Sequence, residues 1–159
     1  MFKGFKVLIS VIGGHTCDAR TGRLAEQVGS IIAELQGILV CGGLTGVMEH
    51  AAKGAKHAGG VTVGILPGAD KRTANPYIDV PLPTGLGYTR NTLVAGVSDI
   101  VVALKGKEGT LSEIGFALSA KKPVVGFKSW KIPGMIQVNS PAALRATLQR
   151  LIKNHMKEQ

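Results

Sequence analysis

The sequence predicts an α/β protein whose parallel sheet is wound with helices on both faces, and three observations predict it. Short runs of branched apolar residues alternate with stretches of helical periodicity from one end of the chain to the other. Within these runs few positions are polar, which is the pattern of strands covered on both sides. Most runs also stop at a glycine-bearing turn before the next helical stretch, as strand-to-helix loops do. The expected architecture is therefore α/β, a single Rossmann-like doubly wound domain over residues 1–159, with a mainly parallel sheet flanked by helices.

The elements follow in order. Lys6 to Ile12 reads as the first buried strand, closed by Gly13-Gly14-His15-Thr16-Cys17-Asp18. Leu24, Val28, Ile31, Ile32 and Leu35 recur at helical spacing, and Gly37 is placed to stop that helix. Ile38 to Cys41 is a second, short strand. Gly42-Gly43-Leu44-Thr45-Gly46 then leads into a helix from Val47 to His57, which ends at Gly59-Gly60. Val61 to Leu66 makes the third strand, stopped by Pro67-Gly68. Ala69 to Asp79 has little periodicity and is expected to be a mobile loop. Val80 to Leu82, next to Pro81 and Pro83, suits an edge strand.

Gly87 to Val97 reads as a helix carrying Arg90 and Asn91, and Asp99 to Leu104 as the next strand. After Gly106 and Gly109 a helix runs to Ala120, with Thr110 placed to cap it and Glu113 three residues on. Pro123 to Phe127 is a strand, and Lys128 to Val138 is expected to be a loop holding Trp130, the only tryptophan. Ser140-Pro141 opens the last helix, since serine caps and proline is tolerated in the first turn.

Composition narrows the function. No apolar stretch approaches the ~18 residues needed to span a bilayer. The opening MFKGFKVLISVIGG has lysines before an apolar run, as a leader has, but the run is short and ends in Gly-Gly-His without a small-residue cleavage site. A cytoplasmic location is expected. Cys17 and Cys41 have no metal-ligand spacing, no His/Cys/Asp cluster supports a metal site, and no G-x-S-x-G turn supports a serine hydrolase. The net charge of +9 is uneven, because from Val101 onward ten Lys/Arg face three Asp/Glu. An anionic ligand, nucleic acid, an acidic partner or simply a basic solvated surface would each fit.

In doubly wound sheets ligands bind beyond the carboxyl ends of the strands. Four loops belong to that edge: Gly13 to Cys17, Gly42 to Gly46, Pro67 to Asp79 and Lys105 to Gly109. Neither G-x-G-x-x-G nor a Walker A sequence is present, so dehydrogenase and P-loop readings fall away. The candidate ligand-binding residues are Gly13, Gly14, Gly42, Gly43, Thr45, Gly46, Pro67, Gly68, Arg90, Gly106, Lys107, Gly109, Thr110 and Glu113. Glu113 has two competing jobs, closing a capping box with Thr110 or acting as a carboxylate beside a phosphate. Arg90 either grips phosphate in a forked geometry or is a solvated helix arginine.

Cys41 to Met48 (CGGLTGVM), Thr89 to Asn91 (TRN) and Lys105 to Glu113 (KGKEGTLSE) resemble the signature segments of the LONELY GUY-type proteins. That superfamily includes nucleoside monophosphate phosphoribohydrolases and molybdenum cofactor carrier proteins. Ala51 to Gly68 and Pro83 to Asn91 are similar to the carrier branch. Where the enzymes carry P-G-G-x-G-T-x-x-E, this chain has Lys105 for the proline and Lys107 for the second glycine. Asn91 stands where they usually have lysine.

The resemblance implies a protein that binds a nucleotide or a phosphorylated pterin, with no cofactor required and the molybdenum cofactor or a nucleotide as its ligand. If it is an enzyme, Arg90 and Glu113 would be the catalytic pair of a phosphoribohydrolase. The resemblance also implies a homo-oligomer, dimer or tetramer, for which the helices Val47 to His57 and Arg90 to Val97 are candidate interfaces. The fold further resembles the core of the DNA-processing protein A family. Nucleic acid is the third reading, disfavoured because few aromatics are available for stacking.

Overall fold

The computed structural model describes residues 6–157. Residues 1–5, part of the leader comparison, and 158–159 lie outside the described residues. Seven strands form one parallel sheet: β1 (Leu8–Ile12), β2 (Ile38–Cys41), β3 (Val61–Leu66), β4 (Val80–Pro83), β5 (Ile100–Ala103), β6 (Val124–Phe127) and β7 (Ile136–Val138). Their order across the sheet is β4-β3-β2-β1-β5-β6-β7, so successive strands step outward from β1 in one direction and then from β5 in the other. β1 pairs with both β2 and β5, with Ile9 level with Leu39 on one side and with Ile100 on the other. The place where the winding reverses lies between β1 and β5, and there the loops above the sheet diverge and leave a crevice.

Five helices cover the faces: α1 (Ala19–Glu34), α2 (Val47–His57), α3 (Asn91–Val97), α4 (Glu108–Ser119) and α5 (Pro141–His155). Because side chains alternate along a strand, β5 sends Ile100 and Val102 into one core and Val101 and Ala103 into the other. The first core packs under α1, α2 and α5 around Ile9, Leu39, Phe127, Leu144 and Leu148. The second packs under α3 and α4 around Ile12, Val40, Val94, Ile114 and Val124. All four residues of β5 and of β6 are buried, which accounts for their unbroken apolar sequences.

The sequence-derived elements differ from the structure at a few points. Gly37 does not supply the left-handed turn that ends α1. Gln36 does, at φ 62°, and its N–H and that of Gly37 bond to the carbonyls of Ala33 and Ile32 in a Schellman closure. A Cβ at position 37 would instead press on Ile9 and Ile32, so Gly37 serves packing. Within Lys128 to Val138, expected to be all loop, the chain forms β7, a three-residue edge strand paired with β6.

Ala69 to Asp79 is fastened at Asn75 and at its last residue rather than free. The buried Asn75 donates from its backbone N–H to Gly43 O (2.9 Å) and from Nδ2 to Leu44 O (2.7 Å). The Asp79 carboxylate accepts from Thr62 N–H and from Lys56 Nζ. Finally, α2 spends its apolar side on α1 and the sheet, with Val47, Met48, Ala51, Ala52 and Ala55 buried, which leaves it polar groups for any outside contact.

Candidate functional site

The crevice at the reversal point is a cleft of about 830 Å³, lined by the loops after β1, β2, β3 and β5 and by the segment leading into α3. Its rim is tied together by backbone. Gly14 N–H donates to Lys105 O (3.0 Å), Val47 N–H to Gly14 O (2.9 Å), and the Thr45 hydroxyl to His15 O (2.9 Å). The loops after β1 and β2 are therefore tied to each other and to the start of the loop after β5.

The α4 end of the cleft overturns one expectation. Thr110 does not cap the helix and Glu113 does not close a capping box, because α4 begins two residues earlier, at Glu108, with Lys107 at the N-cap position. A lysine has no oxygen with which to cap. The first intrahelical bond runs from Leu111 N–H to Lys107 O, and no side chain accepts from the N–H groups of Glu108, Gly109 or Thr110. By contrast, Asp18 caps α1 through Thr21 N–H (2.7 Å) and Ser140 caps α5 through Ala143 N–H (3.1 Å). The start of α4 faces the cleft with open donors and the positive end of the helix dipole.

Released from capping, Glu113 lies in the second turn of α4, only 7% exposed, lining the cleft without a hydrogen bond to the protein. Burial pushes its carboxyl up to about 7, against the opposing pull of the Arg90 guanidinium. Arg90 is also 7% exposed. Its Nη1 donates to Asn91 Oδ1 and its Nη2 reaches Gly42 O at 3.5 Å, while the buried Nε has no partner. Burial lowers the Arg90 pKa and the carboxylate of Glu113 opposes that. Arg90 is therefore a held, desolvated cation rather than a solvated helix arginine, and its partners position it beside the α4 start.

The glycines divide into two groups. At Gly42 a Cβ would stand 2.6 Å from Arg90 Nη2 and from Met48 Sδ, so this glycine makes room for the arginine. Gly13 is pressed by Val47 and Gly43 by Leu66, and Gly46 packs against His15 with φ 69°. These glycines answer to the fold before any ligand. Gly109 differs, since a Cβ there would meet only Asn91 Nδ2 at 3.7 Å. Nothing in the protein demands a glycine at 109, which leaves the space above the α4 amides open to a ligand.

Of the residues singled out in the sequence, Gly13, Gly14, Gly42, Thr45, Pro67, Arg90, Gly106, Lys107, Gly109, Thr110 and Glu113 line the cleft together. Gly43, Gly46 and Gly68 do not. Sequence reasoning missed the apolar lining of Leu44 and Met48, the orienting role of Asn91, and Tyr88 on the rim. Tyr88 and Asn91 flank Thr89-Arg90, so closeness to the arginine was the available signal.

Residues 6–157 match the family model described as the SLOG cluster4 family. The chain belongs to the SLOG cluster4 family. The structure of the molybdenum cofactor binding protein from Rippkaea orientalis superposes with a TM-score of 0.88 at 32% identity, covering 94% of this chain and 99% of that one. The Moco carrier protein from Chlamydomonas reinhardtii gives a TM-score of 0.86 at 34% identity, covering 94% and 99%. A cytokinin riboside 5'-monophosphate phosphoribohydrolase from Mycobacterium tuberculosis is 31% identical over 116 residues, 67% of this chain and 62% of that enzyme. No helix among the described residues is long and apolar enough to cross a membrane.

Proposed function

We propose that this chain binds a phosphorylated heterocycle, a nucleotide or the pterin phosphate of the molybdenum cofactor, and serves as its carrier. The observation that supports this most is the pairing of an uncapped α4 start with the buried, unpartnered Nε of Arg90 in one cleft. Three open N–H groups, a guanidinium and the exposed Lys105 and Lys107 make a site for a phosphate dianion. The similarity to carriers over nearly the whole of both chains supports the pterin or nucleotide part of the reading. Calorimetric titration with AMP, GMP and a pterin phosphate tests it. At least one is expected to bind below millimolar, and Gly109→Asp is expected to abolish that binding by placing a carboxylate over the α4 amides. Absence of binding by all three, with no effect of Gly109→Asp combined with Thr110→Val, would overturn the reading.

A second reading, hydrolysis of a nucleoside monophosphate, is favoured by one observation. Glu113 is a buried carboxyl with a pKa near 7, suited to passing a proton at neutral pH. In that reaction the bond from C1′ to the base nitrogen breaks, the oxygen of water bonds to C1′, and the proton goes to the departing base. Lys105, Lys107 and Asn91, which stand where the phosphoribohydrolases carry other residues, favour the carrier reading. Release of free base from AMP, lost in Glu113→Gln, would promote the enzyme reading above it. We also expect a cytoplasmic homo-oligomer, assembled through the outer face of α3 and α4, where Leu93, Val97 and Phe116 are exposed.

A further inference from the structure

The cleft has two chemically different ends. Toward β1 and β5 lie the open α4 amides, Lys105 and Lys107, whereas toward β2 and β3 the lining includes the apolar Leu44, Met48 and Pro67, with the Arg90 guanidinium held against Gly42 on that side. Tyr88 stands on the rim beside that apolar end, 92% exposed, the least covered of the large exposed apolar side chains among the described residues. Its phenol makes no hydrogen bond to the protein, and it sits two residues from the buried Arg90.

The backbone that carries Tyr88 is anchored but its surroundings are empty. Thr84 N–H donates to Leu66 O, Gly85 N–H to Gly68 O and Gly87 N–H to Pro67 O, so the segment is bonded to the loop after β3. Gly85 and Gly87 have φ of 67° and 58°, and a Cβ at either would meet nothing within 4 Å. An aromatic ring held on a fixed stem, with free space around it and an apolar wall near it, is placed to cover a flat ligand.

Resting on the phosphate-ligand reading above, we propose that Tyr88 stacks on the ligand's ring system and makes the cleft selective for phosphorylated heteroaromatics over phosphorylated sugars. Stacking of a base on an aromatic side chain depends on the π-face and not on hydrogen-bonding edges. The selectivity is thus for flatness, with the phosphate supplying the common anchor.

The test titrates AMP, GMP and a pterin phosphate beside ribose 5-phosphate, against the unaltered protein, Tyr88→Ala, Tyr88→Phe and Gly109→Asp. Tyr88→Ala is expected to weaken the bound heteroaromatic about tenfold, the order of one stacking contact, and to leave ribose 5-phosphate unchanged. Tyr88→Phe should stay within about twofold of the unaltered protein because the ring is kept. Gly109→Asp should lose sugar and heteroaromatic phosphates alike. If Tyr88→Ala leaves heteroaromatic affinity unchanged, or weakens ribose 5-phosphate equally, the stacking role is wrong while the phosphate site stands. If Tyr88→Ala instead dissociates an oligomer at unchanged affinity, the ring belongs to a contact between copies and the proposal is overturned. If none of the heteroaromatics binds the unaltered protein, the phosphate-ligand reading fails and this inference falls with it.

Discussion

At the scale of single residues, Glu113 has the most measurable consequence. Its carboxyl ordinarily titrates at 4.5 and in the fold is pushed up to about 7, so the native state holds that proton more tightly than the unfolded chain does. The stability it contributes is full below pH 4.5 and is lost as the pH rises through 7, a difference of about 3 kcal/mol across the window. Urea denaturation at about pH 5 and about pH 8 should show this fall, and Glu113→Gln should flatten it. An equal slope in both proteins would remove Glu113 as its source. Arg90 and Glu113 were legible in the sequence because their spacing matched a known pattern. Their burial was not, since it depends on Gly42 making room for the guanidinium from another loop. Nor was the register of the α4 start: Thr-x-x-Glu is written in the chain as a capping box, yet the helix starts before the threonine.

Elements explain what local patterns could not. Lys107 has the extended backbone of an N-cap, φ −103° and ψ −151°, without a side chain that can cap. Lys107→Ser should therefore stabilise the protein by about 1 kcal/mol, and also weaken phosphate ligands by occupying an amide they would use. Thermal melting and titration of the same variant check both halves; a gain in stability with unchanged affinity would show that the α4 amides do not hold the ligand. The crossing of α1 and α2 tells a similar story. Gly29 lies against the backbone of Ala51, and Gly54 against that of Glu26, each with no room for a Cβ. Gly54→Ala is expected to cost about 1–3 kcal/mol although alanine is the better helix former, and chemical denaturation measures it. The sequence shows a glycine inside a helix but not the neighbouring helix that requires it. β7 was missed for the same reason, because three residues following Pro133-Gly134 carry no periodicity and become a strand only by pairing with β6.

Over the whole molecule, charge is distributed unequally between the two faces of the sheet. The strand and helix order, and with it the doubly wound topology, could be read from alternating patterns, since each strand's burial on two sides is written in its own residues. Which helices share a face, and what each leaves exposed, follows only from the three-dimensional order β4-β3-β2-β1-β5-β6-β7. On one side, α1, α2 and α5 display Arg20, Arg23, Glu49, Lys56, Arg150 and Lys153. On the other, α3 and α4 present Leu93, Gly96, Val97, Ser112, Gly115 and Phe116, with no exposed charge beyond Glu108 at the start of α4. Two copies of a chain with net charge +9 would repel, and the α3–α4 surface, where charge is confined to Glu108 at one end and Lys121 and Lys122 at the other, is where they would meet with little opposition and apolar area to bury. Sedimentation should show the unaltered protein as an oligomer and Phe116→Lys as single chains, while Lys56→Glu on α2 leaves the assembly intact. Single chains in the unaltered protein, or an oligomer that survives Phe116→Lys, would remove this face as the interface. Because α4 starts at the cleft and runs outward beneath Phe116, an interface there would also brace the helix whose first amides are proposed to hold the phosphate.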